Sequence, residues 1–188
     1  MWTRRGVLVA GLSWCGGATA QTHLAGAAAA VATPPEVAAE VPGARLLGAG
    51  RMRYLGLRVY DARLWAAAAP AALDWAAAAL ALELEYARSL DGTLIADRSL
   101  SEMLRQGEIE PAKARRWLLA MQQIFPDVQA GDRITGVNVP DAGARFLVNG
   151  RHRGDVREPE FARLFLGIWL SPRTSEPTLR DALLGKAT

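Results

Sequence analysis

The stretch that decides the fold runs from Gly131 to Val156 and reads "GDRITGVNVPDAGARFLVNGRHRGDV". Two turn signals divide it, Asp141-Ala142-Gly143 and Asn149-Gly150. Asn-Gly between strand-forming residues favours a two-residue hairpin turn, because both central positions of that turn need a positive φ. We therefore predict a strand, a hairpin and a returning strand over this stretch.

Upstream of this stretch, two further segments have the pattern of strands. Leu82 to Arg88 alternates apolar and charged residues, which is typical of a strand with one buried and one solvated face. Arg51 to Trp65 favours two consecutive strands with a bend at Asp61. The alanine-rich segment 68–81 is interrupted by a proline and an aspartate, so we interpret it as a loop that leads into the next strand.

Helical periodicity follows the strands in two places. Leu94 to Arg105 and Pro111 to Phe125 form one predicted pair, and proline is favourable at the first position of a helix. Five apolar residues between Phe161 and Trp169 fall on one helical face, and a short helix ends the chain near Gly185. This order of strands, helices, strands and helices predicts an α+β fold, an antiparallel sheet with a layer of helices on one face.

Composition excludes several classes of function. The chain has 188 residues with 22 basic and 19 acidic side chains. Without Arg4 and Arg5, which lie in a predicted leader, the balance is 20 to 19, so no basic surface for a nucleic acid is expected. The sequence has neither a glycine-rich nucleotide loop nor histidines and cysteines at metal-ligand spacing. We therefore predict no cofactor, no metal site and no catalytic residues.

The N-terminus has the pattern of an export signal. Paired arginines precede a short apolar run, and Ala18-Thr19-Ala20 matches the small-residue site of signal peptidase. The run is about half the length that a stable membrane span needs, roughly 20 residues. We expect cleavage after Ala20 and a periplasmic location. The arginine pair resembles a twin-arginine leader, although the export route stays open.

The remaining chain divides into a linker and one domain. Residues 21–43 are rich in alanine and contain Pro34-Pro35, so we interpret them as a flexible tether. Residues 44–188 contain no break long enough to separate two domains, and we expect a single globular unit there.

Arginines lie among tyrosines in the strands near residue 55. Strand alternation predicts two faces. Arg51, Arg53, Leu55, Leu57 and Val59 lie on one, and Met52, Tyr54, Arg58 and Tyr60 lie on the other. Solvated guanidinium groups above apolar stems would explain the pattern. A permanent cation held against an apolar cavity, where it binds a carboxylate, would explain it as well.

The sequence resembles the exported chalcone isomerase-like proteins of bacteria over about residues 44–185. The resemblance is carried by "GAGRMRYLGLRVYDARLWA" from Gly48, by "LELEYARSL" from Leu82, by the stretch from Gly131, and most specifically by "EFARLFLGIWLSPRTSEPTLRDALLG" from Glu160. It implies an open-faced β-sandwich of chalcone isomerase type, with a ligand cleft between the sheet and the helical layer.

The resemblance is weaker at the positions of the catalytic residues. Plant chalcone isomerases use an arginine after "G-x-G-x" to stabilise negative charge on the ligand, and the matching position here holds Met52. The threonine expected shortly before "V-Y" is missing too. The leading hypothesis is therefore a non-catalytic, exported domain that binds a small amphipathic molecule such as a fatty acid. Its ligand-binding candidates are Arg51, Arg53, Tyr54 and Tyr60.

Two alternatives stay open. The first is an envelope protein-interaction module without a ligand, which predicts a closed core and ion pairs from Arg51 and Arg53 to acidic residues such as Asp61. The second is an intramolecular lyase of chalcone isomerase type. The sequence makes no prediction of oligomeric state.

Overall fold

The computed structural model describes residues 31–68 and 74–186. The predicted leader and residues 21–30 of the predicted tether lie outside the described residues. Six antiparallel strands form one sheet in chain order: β1 (Arg45–Tyr54), β2 (Leu57–Ala66), β3 (Leu80–Tyr86), β4 (Arg133–Val139), β5 (Gly143–Val148) and β6 (Arg151–Val156). The helices of the described residues are α1 (Pro35–Glu40), α2 (Gly92–Leu104), α3 (Pro111–Ile124), α4 (Pro159–Leu170) and α5 (Pro177–Leu183).

The α+β prediction is confirmed, but one predicted turn lies elsewhere. The bend expected at Asp61 is wrong, because Asp61 pairs with Arg51 inside the β1–β2 ladder. The chain reverses instead at Leu55 and Gly56, both with positive φ, in a two-residue hairpin turn. Leucine is not a turn-forming residue, so the sequence pattern did not indicate this position.

The main core lies between one face of the sheet and the four helices α2 to α5. α4 is buried from Leu164 to Leu170 and packs against β4 and β5. Phe146 of β5 meets Phe161 and Phe165 of α4 edge to face, with ring centroids 6.1 and 5.0 Å apart. Each large apolar side chain buried in this way contributes about 1.5–3 kcal/mol of gross stabilisation. The helical stripe predicted from the sequence is therefore core.

A second, smaller core covers part of the opposite face of the sheet. Val37 of α1 and Val41 just after it are almost fully buried. They pack in a cluster with Trp65, Ala81, Val137 and Leu147. Glu36 also accepts a hydrogen bond from Arg133 at 2.8 Å. Residues 35–41 of the predicted tether therefore pack on the sheet through these two valines.

Part of the β3 face predicted to be solvated is buried as well. Glu83 is 1% exposed, and its Oε1 lies 2.5 Å from Nη1 of Arg63 on β2. The same guanidinium binds Glu85 at 2.9 Å. Burial of a carboxylate needs such a partner, and the alternation within β3 alone did not reveal it.

Two negative findings apply to the described residues. None of their helices is long and apolar enough to cross a membrane. Their histidine, cysteine, aspartate and glutamate side chains form no group of three or more that could hold a metal ion.

Candidate functional site

A cavity of about 410 Å³ opens between the sheet and the helical layer. Its walls come from the hairpin of β1 and β2, from β3 and β4, and from α2 and α4. Apolar side chains form most of the lining: Met52, Val59, Leu84, Leu90, Leu94, Ile95, Phe125, Ile134, Phe165, Ile168 and Trp169. The polar lining consists of Tyr54, Tyr60, Tyr86, Arg88, Arg98, Ser99, Glu102, Ser175 and Glu176. A cavity of this size and polarity is typical of a site for a small organic ligand.

Two tyrosine hydroxyls belong to the cavity wall. The Tyr60 hydroxyl accepts a hydrogen bond from Nε1 of Trp169 at 2.9 Å, so its own hydrogen is left for another acceptor. Burial raises the pKa of Tyr60 to about 12, an effect that the bond from Trp169 opposes. Burial also raises the pKa of Tyr86, whose ring meets that of Tyr60 edge to face at 5.9 Å. Both groups therefore stay protonated near neutral pH and serve as donors, not as bases.

The mouth of the cavity lies between the β1–β2 hairpin and α2. Tyr54 and Leu94, one from each element, are both 63% exposed and both line the cavity. Two exposed arginines accompany them. Arg98 forms an ion pair with the buried Glu102 at 2.6 Å, whereas Arg88 has no ion pair within residues 31–68 and 74–186. Within that part of the chain, Arg88 is thus the cation of the mouth that remains available to an anionic group.

The structure separates the four residues predicted from the sequence. Tyr54 and Tyr60 line the cavity, whereas Arg51 and Arg53 do not. Arg51 donates two hydrogen bonds to the carboxylate of Asp61, at 2.7 and 3.2 Å. These bonds and the neighbouring charge hold the pKa of Asp61 below its usual range. Strand alternation had already placed the two arginines on the face opposite the tyrosines.

Arg53 stays near the hairpin turn. Its Nη1 donates to the carbonyl oxygen of Gly56 at 3.3 Å, and the side chain is exposed. The interaction-module alternative predicted ion pairs to both arginines together with a closed core. The Arg51–Asp61 pair is present, but the core contains an open cavity.

Met52 occupies the wall where the family resemblance places the isomerase arginine. It pairs with Tyr60 across the ladder, and both side chains line the cavity. The next pair is Arg53 with Arg58, so Val59 is the extra residue of a β-bulge. The predicted alternation is therefore wrong for Val59, which lines the cavity, and for Arg58, which binds Asp61. The bulge does not bring a neighbouring arginine into the Met52 position, because Arg51 remains bound to Asp61.

Several lining residues were missed by sequence reasoning, among them Arg88, Arg98 and Glu102. A signal for α2 existed, because Leu94, Arg98 and Glu102 are spaced by four and so share one helical face. No comparable signal existed for Arg88, which follows β3 and lines the cavity together with residues of α2 and of the β1–β2 hairpin.

Comparisons with known proteins agree with this architecture. A crystal structure of a fatty-acid binding protein from Arabidopsis thaliana superposes with a TM-score of 0.61 at 16% identity, over 77% of this chain and 88% of that chain. An uncharacterized protein of Haemophilus influenzae is 29% identical over 107 residues, which cover 57% of this chain and 52% of that protein. The chain thus spans about half the length of this relative. The family description "chalcone isomerase-like" matches residues 25–185, and the chain therefore belongs to the chalcone isomerase-like family.

Proposed function

We propose that this protein is a non-catalytic binder of a small amphipathic ligand, and that the ligand is a fatty acid. The observation that carries the proposal is the cavity, whose inner wall is apolar and whose mouth holds an arginine without an ion pair among the described residues. Its volume of about 410 Å³ is within the range of known small-molecule sites, about 300–1,000 Å³. The Arabidopsis structure with the same fold is described as a fatty-acid binding protein, which supports this choice of ligand.

The lining suggests how such a ligand would be oriented. The acyl chain would lie against Leu84, Ile134 and Ile168, in the apolar part of the cavity. The carboxylate would lie at the mouth, within reach of Arg88. A guanidinium binds a carboxylate through two parallel hydrogen bonds, which adds direction to the charge attraction. Glu102 does not oppose this arrangement strongly, because Arg98 and Arg105 already neutralise it at 2.6 and 3.4 Å.

Two features of this cavity support a role without catalysis. Met52 supplies no charge at the position where the isomerases hold an arginine against developing negative charge. The two tyrosines have raised pKa values, so neither supplies a base to deprotonate a phenol near neutral pH. The same walls can still bind an amphipathic molecule, because binding needs only apolar contact and one polar anchor.

We also propose that the protein is exported to the periplasm. The support is the N-terminal pattern of paired arginines, apolar run and Ala18-Thr19-Ala20. The intact mass of the protein from a periplasmic extract tests this, with an N-terminus at Gln21 as the expected result. Recovery of the unprocessed chain from the cytoplasm would contradict it.

Native mass spectrometry of the protein purified gently from its own cells tests the binding proposal. We expect a bound species of fatty-acid mass, and refilling of the delipidated protein by added fatty acid. Arg88→Gln should weaken this binding by about tenfold or more, because it removes a charged hydrogen bond of roughly 1.5–3 kcal/mol.

Arg53→Gln is the matched control, since it removes an exposed arginine near the hairpin turn that does not line the cavity. Equal losses in both variants would instead favour the sequence-based assignment of Arg53. No bound lipid in the wild type and no refilling would overturn the proposal. Turnover of a chalcone would replace it with the isomerase alternative.

A further inference from the structure

Exposed apolar side chains are concentrated at one place on this molecule. The described residues include seven large hydrophobic side chains that are exposed. Three of them form the tip of the β1–β2 hairpin, namely Tyr54, Leu55 and Leu57, and Leu94 of α2 stands across the cavity mouth from Tyr54. We call these four residues the apolar tip. Leu55 is 84% exposed, more than any other of the seven.

The backbone at the tip makes this exposure more unusual. Leu55 has a φ of 50°, a left-handed conformation that is sterically unfavourable for a residue with a bulky side chain. Asparagine or glycine would fit this turn position with less strain. Local stability therefore does not explain the leucine. Strained residues of this kind are concentrated at functional sites.

Arginines flank the hairpin part of the apolar tip. Residues 51–61 contain three arginines and one aspartate, a formal excess of two positive charges. Arg53 and Arg58 flank the tip in sequence and are exposed, although Arg58 is paired with Asp61. Arg88 adds an exposed guanidinium group at the mouth. An apolar protrusion flanked by arginines is complementary to a bilayer with anionic headgroups, because leucines enter the acyl region while arginines remain at the headgroups.

We propose that the apolar tip docks on the surface of an anionic lipid bilayer and brings the cavity mouth against it. Tyr54 and Leu94 belong both to the tip and to the cavity wall, so a docked molecule would have its cavity facing the lipid. A fatty acid could then pass between the bilayer and the cavity without crossing open water. This transfer step rests on the proposed function, whereas docking itself does not.

Vesicle co-sedimentation tests the docking. The probe is phosphatidylcholine vesicles with and without phosphatidylglycerol, mixed with the protein as purified from its host. We expect binding only with phosphatidylglycerol, and weaker binding as salt is added. Leu55→Asn should weaken the binding about tenfold, since it removes a leucine from the bilayer. The variant should still fold, because asparagine suits the turn.

Leu119→Asn provides the matched control. Leu119 is 55% exposed on α3, a helix that packs against β6 at the opposite edge of the sheet from β1. Both variants share the wild-type N-terminus, so any contribution of that segment to vesicle binding cancels between them. Equal vesicle binding by wild type and Leu55→Asn would overturn the proposal. So would a change of oligomeric state in Leu55→Asn without any vesicle binding, because the tip would then contact a second copy of the chain.

Transfer of a fluorescent fatty acid from donor vesicles separates this inference from the proposed function. We expect Leu55→Asn to slow transfer severalfold while its affinity for the free fatty acid is unchanged. Vesicle binding by the tip without any fatty-acid uptake would contradict the proposed function alone. Transfer at the wild-type rate in Leu55→Asn would contradict the docking inference alone.

Discussion

The two tight hairpins of the sheet have almost the same backbone and very different side chains. The β1–β2 turn places Leu55 and Gly56 at φ values of 50° and 79°, and the β5–β6 turn places Asn149 and Gly150 at 50° and 77°. In both, the first central residue is in the left-handed region, where asparagine is favourable and leucine is not. The comparison shows that the two turns satisfy different requirements.

The β5–β6 turn is tied into the fold. The Oδ1 of Asn149 accepts a hydrogen bond from the amide of Arg133 at 2.8 Å, and its Nδ2 donates to Asp132 at 2.9 Å. These bonds connect the turn to the start of β4. Leu55 has an apolar side chain that is 84% exposed, so it makes no equivalent contribution to stability. We therefore interpret one turn as structural and the other as an interaction site.

The largest change in stability is expected from Asn149→Leu. This substitution gives the β5–β6 turn the residue that the β1–β2 turn has at the same position. The variant loses two side-chain hydrogen bonds, worth about 1 kcal/mol each, and adds left-handed strain of about 1–2 kcal/mol. We expect the free energy of unfolding, measured by urea denaturation, to fall by about 2–4 kcal/mol.

Asn149→Gly separates these two causes. Glycine loses the same hydrogen bonds but adopts the positive φ without steric strain. It should therefore be destabilised less than Asn149→Leu. If Asn149→Leu were as stable as the wild type, a leucine with positive φ would cost little free energy in such a turn. The argument from backbone strain at Leu55 would then fail.

A smaller effect, on the affinity for the ligand, is expected from substitutions of the residues next to each turn. Tyr54 pairs with Leu57 in one hairpin, and Arg151 pairs with Val148 in the other. Tyr54 lines the cavity and Arg151 does not. Tyr54→Ala should raise the dissociation constant for a fatty acid about fivefold, since it removes part of an aromatic contact of about 1 kcal/mol. Titration with a fluorescent fatty acid measures this change.

Arg151→Ala is the counterpart and should bind as the wild type does. It also tests whether any hairpin arginine attracts the ligand through long-range charge alone. Similar weakening in both variants would mean that the two hairpins do not differ in their relation to the ligand.

Leu55→Asn is expected to stabilise the folded protein, by less than the preceding effects. The substitution relieves left-handed strain of about 1 kcal/mol and exposes less apolar surface in the folded state. We expect the free energy of unfolding to rise by about 0.5–1 kcal/mol in the same urea experiment. A gain in stability together with a loss of vesicle binding would show that the leucine is present for interaction. A loss of stability would show that Leu55 supports the hairpin.

The fold could be predicted where short-range signals were strong. Asn149-Gly150 marked one turn, and the apolar spacing between Phe161 and Trp169 marked the buried helix α4. Sequence signals did not predict burial where contacts between distant parts of the chain determine it. The α1 segment has six residues and is attached to the fold through Val37, which packs on the opposite face of the sheet from α2 to α5. Likewise, Glu83 is buried only because β2 supplies Arg63.

The candidate site was predictable in the same limited sense. Tyr54 and Tyr60 were found because they share a face of one hairpin. Arg88 and Arg98 were not found, since the cavity is formed where β3, α2 and the hairpin meet. The arginines of β1 were conspicuous in the sequence because they lie on the same strand as Tyr54. Their side chains nevertheless lie on the side that alternation had predicted, away from the cavity.

The smallest expected effect concerns pH, because each hairpin is associated with an aspartate whose pKa is lowered. Near the structural turn, the amide of Gln129 and then the side chain of Asn149 lower the pKa of Asp132. On the interaction hairpin, Arg51 lowers the pKa of Asp61. A carboxyl with a lower pKa in the folded state than its unfolded value of about 3.9 stabilises the fold above that pH, and the stabilisation disappears as pH falls through the folded pKa.

We therefore expect stability to decline below about pH 4 in the wild type, and to decline less steeply in Asp132→Asn and Asp61→Asn. The effect should be small, because the hydrogen bond between Asp132 and Asn149 lies at the surface, where solvent screens it. Urea unfolding at a series of acidic pH values measures the slope, and carboxyl titration by NMR assigns it. Asn149→Gly should raise the pKa of Asp132 and leave that of Asp61 unchanged, whereas Leu55→Asn should change neither. If Leu55→Asn raised the pKa of Asp61, the leucine would be holding the Arg51–Asp61 pair in place, and the division between a structural turn and an interaction turn would be wrong.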